Sequence, residues 1–280
     1  MTPMIPGRNK LTVYDVQNLK GKEQIMMTAT GDPWIARVAE MAGIHILRCW
    51  SWGNDEESML HNLAMSVDQL RKAAPKLLLN PLLLPSWVSP SDADAIRCAT
   101  VAMGHGADIV LMLGVSPDRV AAVAKQKIPV FCHVGLTPIW YTTWKGGYVG
   151  VGKTAQDALQ VYKDALAYQE AGAAMLTIEL TPDRVTAEIA KRIRIPVISI
   201  GAGAGADGVE LVAVDVLGLS PNPAPRHAKK YREFFNEALG AYKEFTAEVK
   251  SGAFPIKKTA VAIKDEEFEK FMEGLDRIKR

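Results

Sequence analysis

Eight short apolar runs, alternating with stretches of helical spacing, constrain this chain more than any other feature. The runs are Ile25 to Ala29, Ile44 to Cys49, Leu77 to Leu84, Ile109 to Leu113, Pro129 to His133, Met175 to Glu179, Pro196 to Ile200 and Val214 to Leu219. Apolar residues recur at helical spacing over Trp34 to Met41, Glu56 to Ala73, Ala93 to Gly104, Pro117 to Lys125, Ala155 to Gly172, Arg184 to Arg192 and a short piece near Asp207 to Ala213. Gly43, Gly104 and Gly172 mark helix ends, and Ser89-Pro90-Ser91-Asp92, Ser116-Pro117 and Thr181-Pro182-Asp183 mark starts. Strict alternation means parallel strands joined by right-handed crossovers, and eight such units close into an α/β fold, the (β/α)8 TIM barrel. An open doubly wound sheet competes with it, and the count of eight disfavours that sheet. Beyond the last run, Arg226 to Lys250 predicts a long amphipathic helix and Lys257 to Arg280 a charged helical tail. The expected organisation is a barrel over 1–255 with extra C-terminal helices, the tail being 256–280.

A chain of 280 residues can bury one large core of this kind. Its net charge of +2 makes no electrostatic case for nucleic acid or an anionic membrane. The most apolar stretch, Leu77 to Trp87, is broken by Asn80, Pro81 and Pro85, so no membrane span is expected. The first ten residues lack an apolar signal core, and Cys49, Cys98 and Cys132 are odd in number and widely spaced. Neither a disulfide framework nor a closed zinc site follows, and a cytoplasmic setting with a small-molecule substrate is the expectation.

Chemistry in such a barrel is done at the carboxyl-terminal ends of the strands. The residues expected there are Thr28, Thr30, Cys49 to Trp52, Asn80, Leu113, His133, Glu179, Gly201 to Gly205 and Ser220. Two of them, His133 and Glu179, move protons at neutral pH, and barrel closure would bring them together as base and assisting group. The glycine-rich stretch I-S-I-G-A-G-A-G-A-D-G, Ile198 to Gly208, places backbone amides where an anionic group can be held, or else forms a tight turn under a packed helix. Trp50, Trp52, Trp87, Trp140 and Trp144 fall on or near rim loops, which suits a flat or aromatic ligand as well as simple packing beneath loops.

Four segments carry a family resemblance: I-P-V-F-C-H-V-G-L-T-P (Ile128 to Pro138), K-G-G-Y (Lys145 to Tyr148), E-A-G-A-A-M-L-T-I-E (Glu170 to Glu179) and I-P-V-I-S-I-G-A-G-A-G-A-D-G (Ile195 to Gly208). With D-V-L-G-L at Asp215, R-H-A-K-K-Y at Arg226 and V-K-S-G-A-F-P at Val249, the chain resembles ketopantoate hydroxymethyltransferase from about Val13 to Pro255, most specifically in its second half. The resemblance implies a barrel of the phosphoenolpyruvate/pyruvate superfamily and a homo-oligomer. It also implies Mg²⁺ and transfer of a one-carbon unit from methylenetetrahydrofolate to a branched 2-oxo acid, a step towards pantothenate. The family's general base falls on Glu179 and its strand-five histidine on His133.

The departures lie where the family binds metal. Its strand-two aspartate falls on Trp50 or Ser51, its strand-three aspartate on Asn80 or Pro81, and the lysine and glutamate of strand four on Leu111 and Leu113. Four polar groups are thereby absent together, among them the two aspartates that supply hard oxygen ligands to Mg²⁺, so no metal ligand is assigned and Mg²⁺ is not expected at that place. Arg48 supplies charge nearby and faces either the lumen or the helices, depending on the alignment gap. The substrate contacts expected are Trp50, Ser51, Asn80, Gly201 and Gly203, with Glu179 and His133 catalytic. The leading function is a hydroxymethyltransferase-like enzyme that makes or breaks a carbon–carbon bond next to the carbonyl of a 2-oxo acid. The alternatives are a metal-independent hydrolase or lyase on an aromatic-derived acid and a non-catalytic ligand-binding homologue.

Overall fold

The structure, a computed structural model, describes residues 10–139, 142–143 and 146–278. Its strands are β1 Ile25–Ala29, β2 Ile46–Cys49, β3 Leu78–Leu83, β4 Val110–Met112, β5 Val130–Gly135, β6 Met175–Glu179, β7 Val197–Ile200 and β8 Gly208–Val212. They pair in chain order, all parallel, and β8 closes on β1 through Ile25 opposite Gly208 and Ala29 opposite Val212. The expected (β/α)8 barrel is therefore the observed one.

The helices are α1 Val13–Gln17, α2 Pro33–Met41, α3 Glu56–Ala73, α4 Pro85–Val88, α5 Asp92–Gly104, α6 Pro117–Ala124, α7 Ala155–Glu170, α8 Asp183–Arg192, α9 Ala213–Leu217, α10 Phe234–Ser251 and α11 Asp265–Arg277. Local chemistry sets their starts. Asp32 accepts from two backbone N–H groups of α2, with Pro33 as its first residue, and Asp55 and Ser58 form a reciprocal cap on α3. Ser91, Ser116 and Thr154 cap α5, α6 and α7 in the same way.

The eighth unit differs from the expectation. The strand is Gly208–Val212, where a short helix is predicted, and Val214 to Leu219 holds the helix α9, closed by Gly218 in the left-handed region. The reason is Glu210, an acidic residue inside the run that points into the barrel and so breaks the apolar signature of a strand. Ser220 consequently lies past α9 and not at a strand end. Residues 226–233 are likewise not helical, and the long helix begins only at Phe234.

The strands separate two apolar clusters. One fills the barrel with Ile25, Met27, Ile46, Leu78, Ile109, Leu111, Leu113, Phe131, Met175 and Ile198, and takes Val16 of α1 as its plug. The other lies between strands and helices and contains Leu47, Cys49, Leu79, Val110, Cys132, Leu176 and Val197. Successive residues of one strand alternate between the two, as the two-residue period requires.

The chain divides into two compact units, 1–232 and 233–280, whereas the sequence reading sets its boundary at 255/256. The first unit is the barrel. The second holds α10, a 3₁₀ turn at Lys257–Thr259 and α11, and neither of its helices has a buried residue. Among the described residues no helix is long and apolar enough to cross a membrane.

Candidate active site

Alternation along β2 settles the direction of Arg48: Ile46 below it belongs to the lumen cluster, and Leu47 and Cys49 on either side belong to the helix shell. Arg48 is buried, and its neighbours come from across the barrel. Nε donates to Oδ1 of Asn80 on β3 at 3.3 Å, and Nη2 donates to Oγ1 of Thr177 on β6 at 2.9 Å and stands 3.3 Å from Oε2 of Glu210 on β8. The guanidinium carbon lies 5.2 Å from the centroid of the Phe131 ring on β5, close enough for a cation–π attraction. Burial lowers the pKa of Arg48, opposed by Glu210 and Glu179, yet a guanidinium starts so high that it keeps its charge at neutral pH. Burial likewise pushes the Glu210 carboxyl above its usual range, with Arg48 pulling it back.

Above this network, His133 and Glu179 meet at the strand ends. Nε2 of His133 is 3.1 Å from Oε2 of Glu179, and both side chains are buried. In the β5–β6 register His133 faces Thr177 and Gly135 faces Glu179. Gly135 has φ +79°, and a Cβ there would overlap the carbonyl oxygen of Glu179 and the Thr181 hydroxyl, so only glycine lets the two strands close at this point. That carbonyl accepts from Leu136 N at 2.9 Å. The next residue, Leu180, is in the left-handed region at φ +47°, held by its N–H on Ile200 O at 2.9 Å and by Val151 N on its carbonyl at 3.0 Å. Strained backbone of this kind beside a carboxylate is common where a side chain must be aimed.

A cavity of about 1140 Å³ opens over the pair. Arg48, His133, Glu179 and Glu210 reach it from within the barrel; Trp50, Leu82, Leu111, Leu113 and Tyr148 line its walls, joined by the exposed Trp52. Lys153, Asp183, Asp215, Arg226 and His227 also border it. The glycine-rich loop contributes Gly201 and Gly203. Gly201 has φ +59°, and a Cβ there would come within 2.8 Å of His227 and Leu180, which explains why this loop carries glycine where the segment at 226 passes.

Of the expected substrate contacts, Trp50, Gly201 and Gly203 border the cavity, whereas Ser51 and Asn80 do not. Ser51 follows the inward Trp50 and so takes the opposite side of β2's path. Asn80 is fully buried in the lumen, with its Oδ1 taken by Arg48 and its Nδ2 donating to Ile109 O at 3.3 Å. Trp87 packs on the helix shell, and Trp140 and Trp144 lie outside the described residues. Cys49 faces that shell too, its thiol pushed up to about 12 by burial, which removes it as a rim nucleophile. Glu210 was missed by the sequence reading; the signal that marks it is the single acid in G-V-E-L-V, on the inward side of an alternating run. No group of three His, Cys, Asp or Glu side chains among the described residues is placed to hold a metal ion.

Comparison with known proteins identifies the family and the fold. The family model described as ketopantoate hydroxymethyltransferase matches residues 10–257. A 3-methyl-2-oxobutanoate hydroxymethyltransferase of Hyperthermus butylicus is 34% identical over 275 residues, covering 94% of this chain and 95% of its own. The protein of that name from Thermotoga neapolitana is 33% identical over 255 residues, covering 88% and 94%. Among solved structures, phosphoenolpyruvate phosphomutase from Streptomyces platensis superposes with a TM-score of 0.54 at 13% identity, covering 96% of this chain and 100% of that one. A 2,3-dimethylmalate lyase superposes with a TM-score of 0.52 at 13% identity, covering 94% and 99%. At these identities the two structures speak for the fold alone.

Proposed function

The chain belongs to the ketopantoate hydroxymethyltransferase family, and from that premise we propose that it is an enzyme making or breaking a carbon–carbon bond next to the carbonyl of a 2-oxo acid. The observation that carries the reading is the 3.1 Å approach of His133 Nε2 to Glu179 Oε2 at the mouth of the barrel. Glu179 is the general base: its carboxylate takes the proton from the carbon beside the carbonyl. The C–H pair becomes a C=C bond, and the carbonyl π pair moves onto oxygen as an enolate. His133 orients the carboxylate and polarises the carbonyl, a task consistent with the loose geometry of a site without substrate. The nucleophilic carbon then attacks formaldehyde, which the methylene donor yields with tetrahydrofolate when water adds to it; the formaldehyde π pair becomes a hydroxyl by taking the proton from Glu179, and the reverse sequence cleaves the same bond. Methylenetetrahydrofolate, the donor the family resemblance implies, supplies that carbon when bound, and the wall of Trp50, Trp52 and Tyr148 suits its flat ring.

The residues at the family's metal positions do not fit Mg²⁺. Trp50 or Ser51, just past the end of β2, stands where a carboxylate is needed, Asn80 is committed to Arg48 and Ile109, Pro81 has no side-chain oxygen, and Leu111 and Leu113 form apolar wall. No step is therefore routed through a cation.

The test is deuterium exchange at C3 of 2-oxoisovalerate in D₂O, followed by proton NMR. Exchange by the wild type and its loss in Glu179→Gln are expected; no exchange with this or other 2-oxo acids would sink the reading. The tryptophans and leucines of the wall also favour a larger aromatic-derived acid, and exchange or cleavage confined to such acids would support that version. The proposal extends to a homo-oligomer, as the family resemblance implies, and Tyr242, Phe245, Phe268 and Phe271 of α10 and α11 are apolar and exposed in its favour. A monomeric mass by light scattering at micromolar concentration would count against it.

A further inference from the structure

We infer that Arg48 does in this barrel the electrostatic work for which the family uses a divalent cation, binding the carboxylate of a 2-oxo acid and the enolate oxygen that forms beside it. The inference rests on the reaction proposed above and adds to it the group that stabilises the charge.

Three observations converge on the guanidinium. It is fixed before any ligand arrives: Asn80, Thr177 and Glu210 hold Nε and Nη2, and the Phe131 ring lies against its carbon. Donors held in place need no reorganisation when charge develops next to them. Secondly, the hold is one-sided. Nη1 has no hydrogen-bond partner among the described residues, although Arg48 borders the cavity. The two N–H groups of Nη1 are therefore left to donate, one to a carboxylate oxygen and one to the neighbouring carbonyl oxygen of a 2-oxo acid.

Thirdly, the surrounding polar atoms are unsatisfied. Neither ring nitrogen of His133 nor Oε2 of Glu210 forms a hydrogen bond: Nε2 has only its 3.1 Å approach to Glu179 and Oε2 only its 3.3 Å ion pair with Arg48, while Nδ1 has neither. Buried polar atoms are nearly always hydrogen-bonded, so such atoms on side chains that border one cavity with Arg48 mark the space of a polar ligand. Glu210 completes the arrangement as a positioning residue: its Oε2 stands 3.3 Å from Nη2 and holds that side of the guanidinium, leaving Nη1 for the ligand.

Isothermal titration of the full-length protein with 2-oxoisovalerate, in EDTA and again with added Mg²⁺, tests the inference. Binding of equal strength in both conditions is expected, together with a loss of about a hundredfold in Arg48→Met, which keeps much of the side-chain volume. Binding that strengthens tenfold or more with Mg²⁺, an Arg48→Met variant within threefold of wild type, or no binding by the wild type would each overturn it. Should Arg48→Met fail to fold by circular dichroism, the metal dependence of the wild type decides alone. The two proposals fail separately. C3 exchange that appears only with Mg²⁺ would overturn the role of Arg48 and leave the reaction standing. Metal-independent, Arg48-dependent binding without exchange would do the reverse.

Discussion

Asp108 and Glu210 are both acids of the barrel, one just before β4 at its floor and the other inside β8, and their surroundings differ in kind. Asp108 accepts from Leu79 N at 2.8 Å, pairs with Arg71, and lies 2.5 Å from Lys10 Nζ. Arg71 in turn donates to the carbonyls of Gly106 and Leu77, each at 2.9 Å. Asp207, also at the floor, accepts from Val197 N at 2.8 Å and pairs with Lys20 at 2.5 Å. Among the described residues Glu210 is ion-paired with Arg48 alone, its Oε2 standing 3.3 Å from Nη2 without forming a hydrogen bond. Charges at the floor complete one another and hold strand starts to helices, while those at the mouth leave atoms over. The first pattern ties the barrel together and the second leaves polar atoms beside the cavity, in a fold whose chemistry generally sits at the carboxyl-terminal rim.

Substitutions at the two ends should therefore separate activity from stability. The largest effect is expected from Glu179→Gln, which keeps shape but cannot take a proton: the exchange rate should fall by about two to four orders of magnitude, with little change in melting temperature. At the floor, Asp108→Ala should cost about 3 kcal/mol in urea denaturation, because it strands Arg71 and Lys10 and leaves Leu79 N unpaired. Affinity for 2-oxoisovalerate should stay the same in that variant; a parallel loss of binding would erase the distinction between the two ends. His133→Asn should slow exchange by roughly tenfold, less than Glu179→Gln, if its proposed part is to orient and polarise.

The smallest effect concerns pH. Burial raises the Glu210 carboxyl in the folded protein, so the stability this group contributes is fully present below the ordinary glutamate value of about 4.3 and is lost as pH rises through the raised value. Glu210→Gln does not titrate. The difference in stability, wild type minus variant, should therefore shrink with rising pH across that window, as chemical denaturation at several pH values would show. A difference that grew with pH would mean that Arg48 outweighs desolvation in setting the state of Glu210.

How much of this was legible beforehand depended on which way a side chain points. Seven strands announced themselves as short apolar runs, even where one inward residue is polar, as Arg48 is in β2 and Asn80 in β3. The eighth did not, because Glu210 interrupts Gly208–Val212, and the apolar V-D-V-L-G-L beyond it imitates a strand while forming α9. Glu179 and His133 were recoverable from strand ends and resemblance together. Arg48 was visible as a charge but without a direction, since one residue of register decides between lumen and shell. Asn80 looked available for substrate because a sequence does not show that an arginine from the neighbouring strand occupies its carbonyl oxygen. The helix predicted from Arg226 starts eight residues late, at Phe234, and the intervening segment instead runs past Gly201.

The alternation of faces along β2 also bears on how such a chain can change over generations. Ile46 and Arg48 belong to the lumen, Leu47 and Cys49 to the shell, so four consecutive codons serve two packing environments that scarcely constrain one another. Replacing a lumen residue leaves its sequence neighbours locked in the helices. Mutation can thus rewrite the charge pattern of the interior one position at a time while the outer layer keeps the architecture intact.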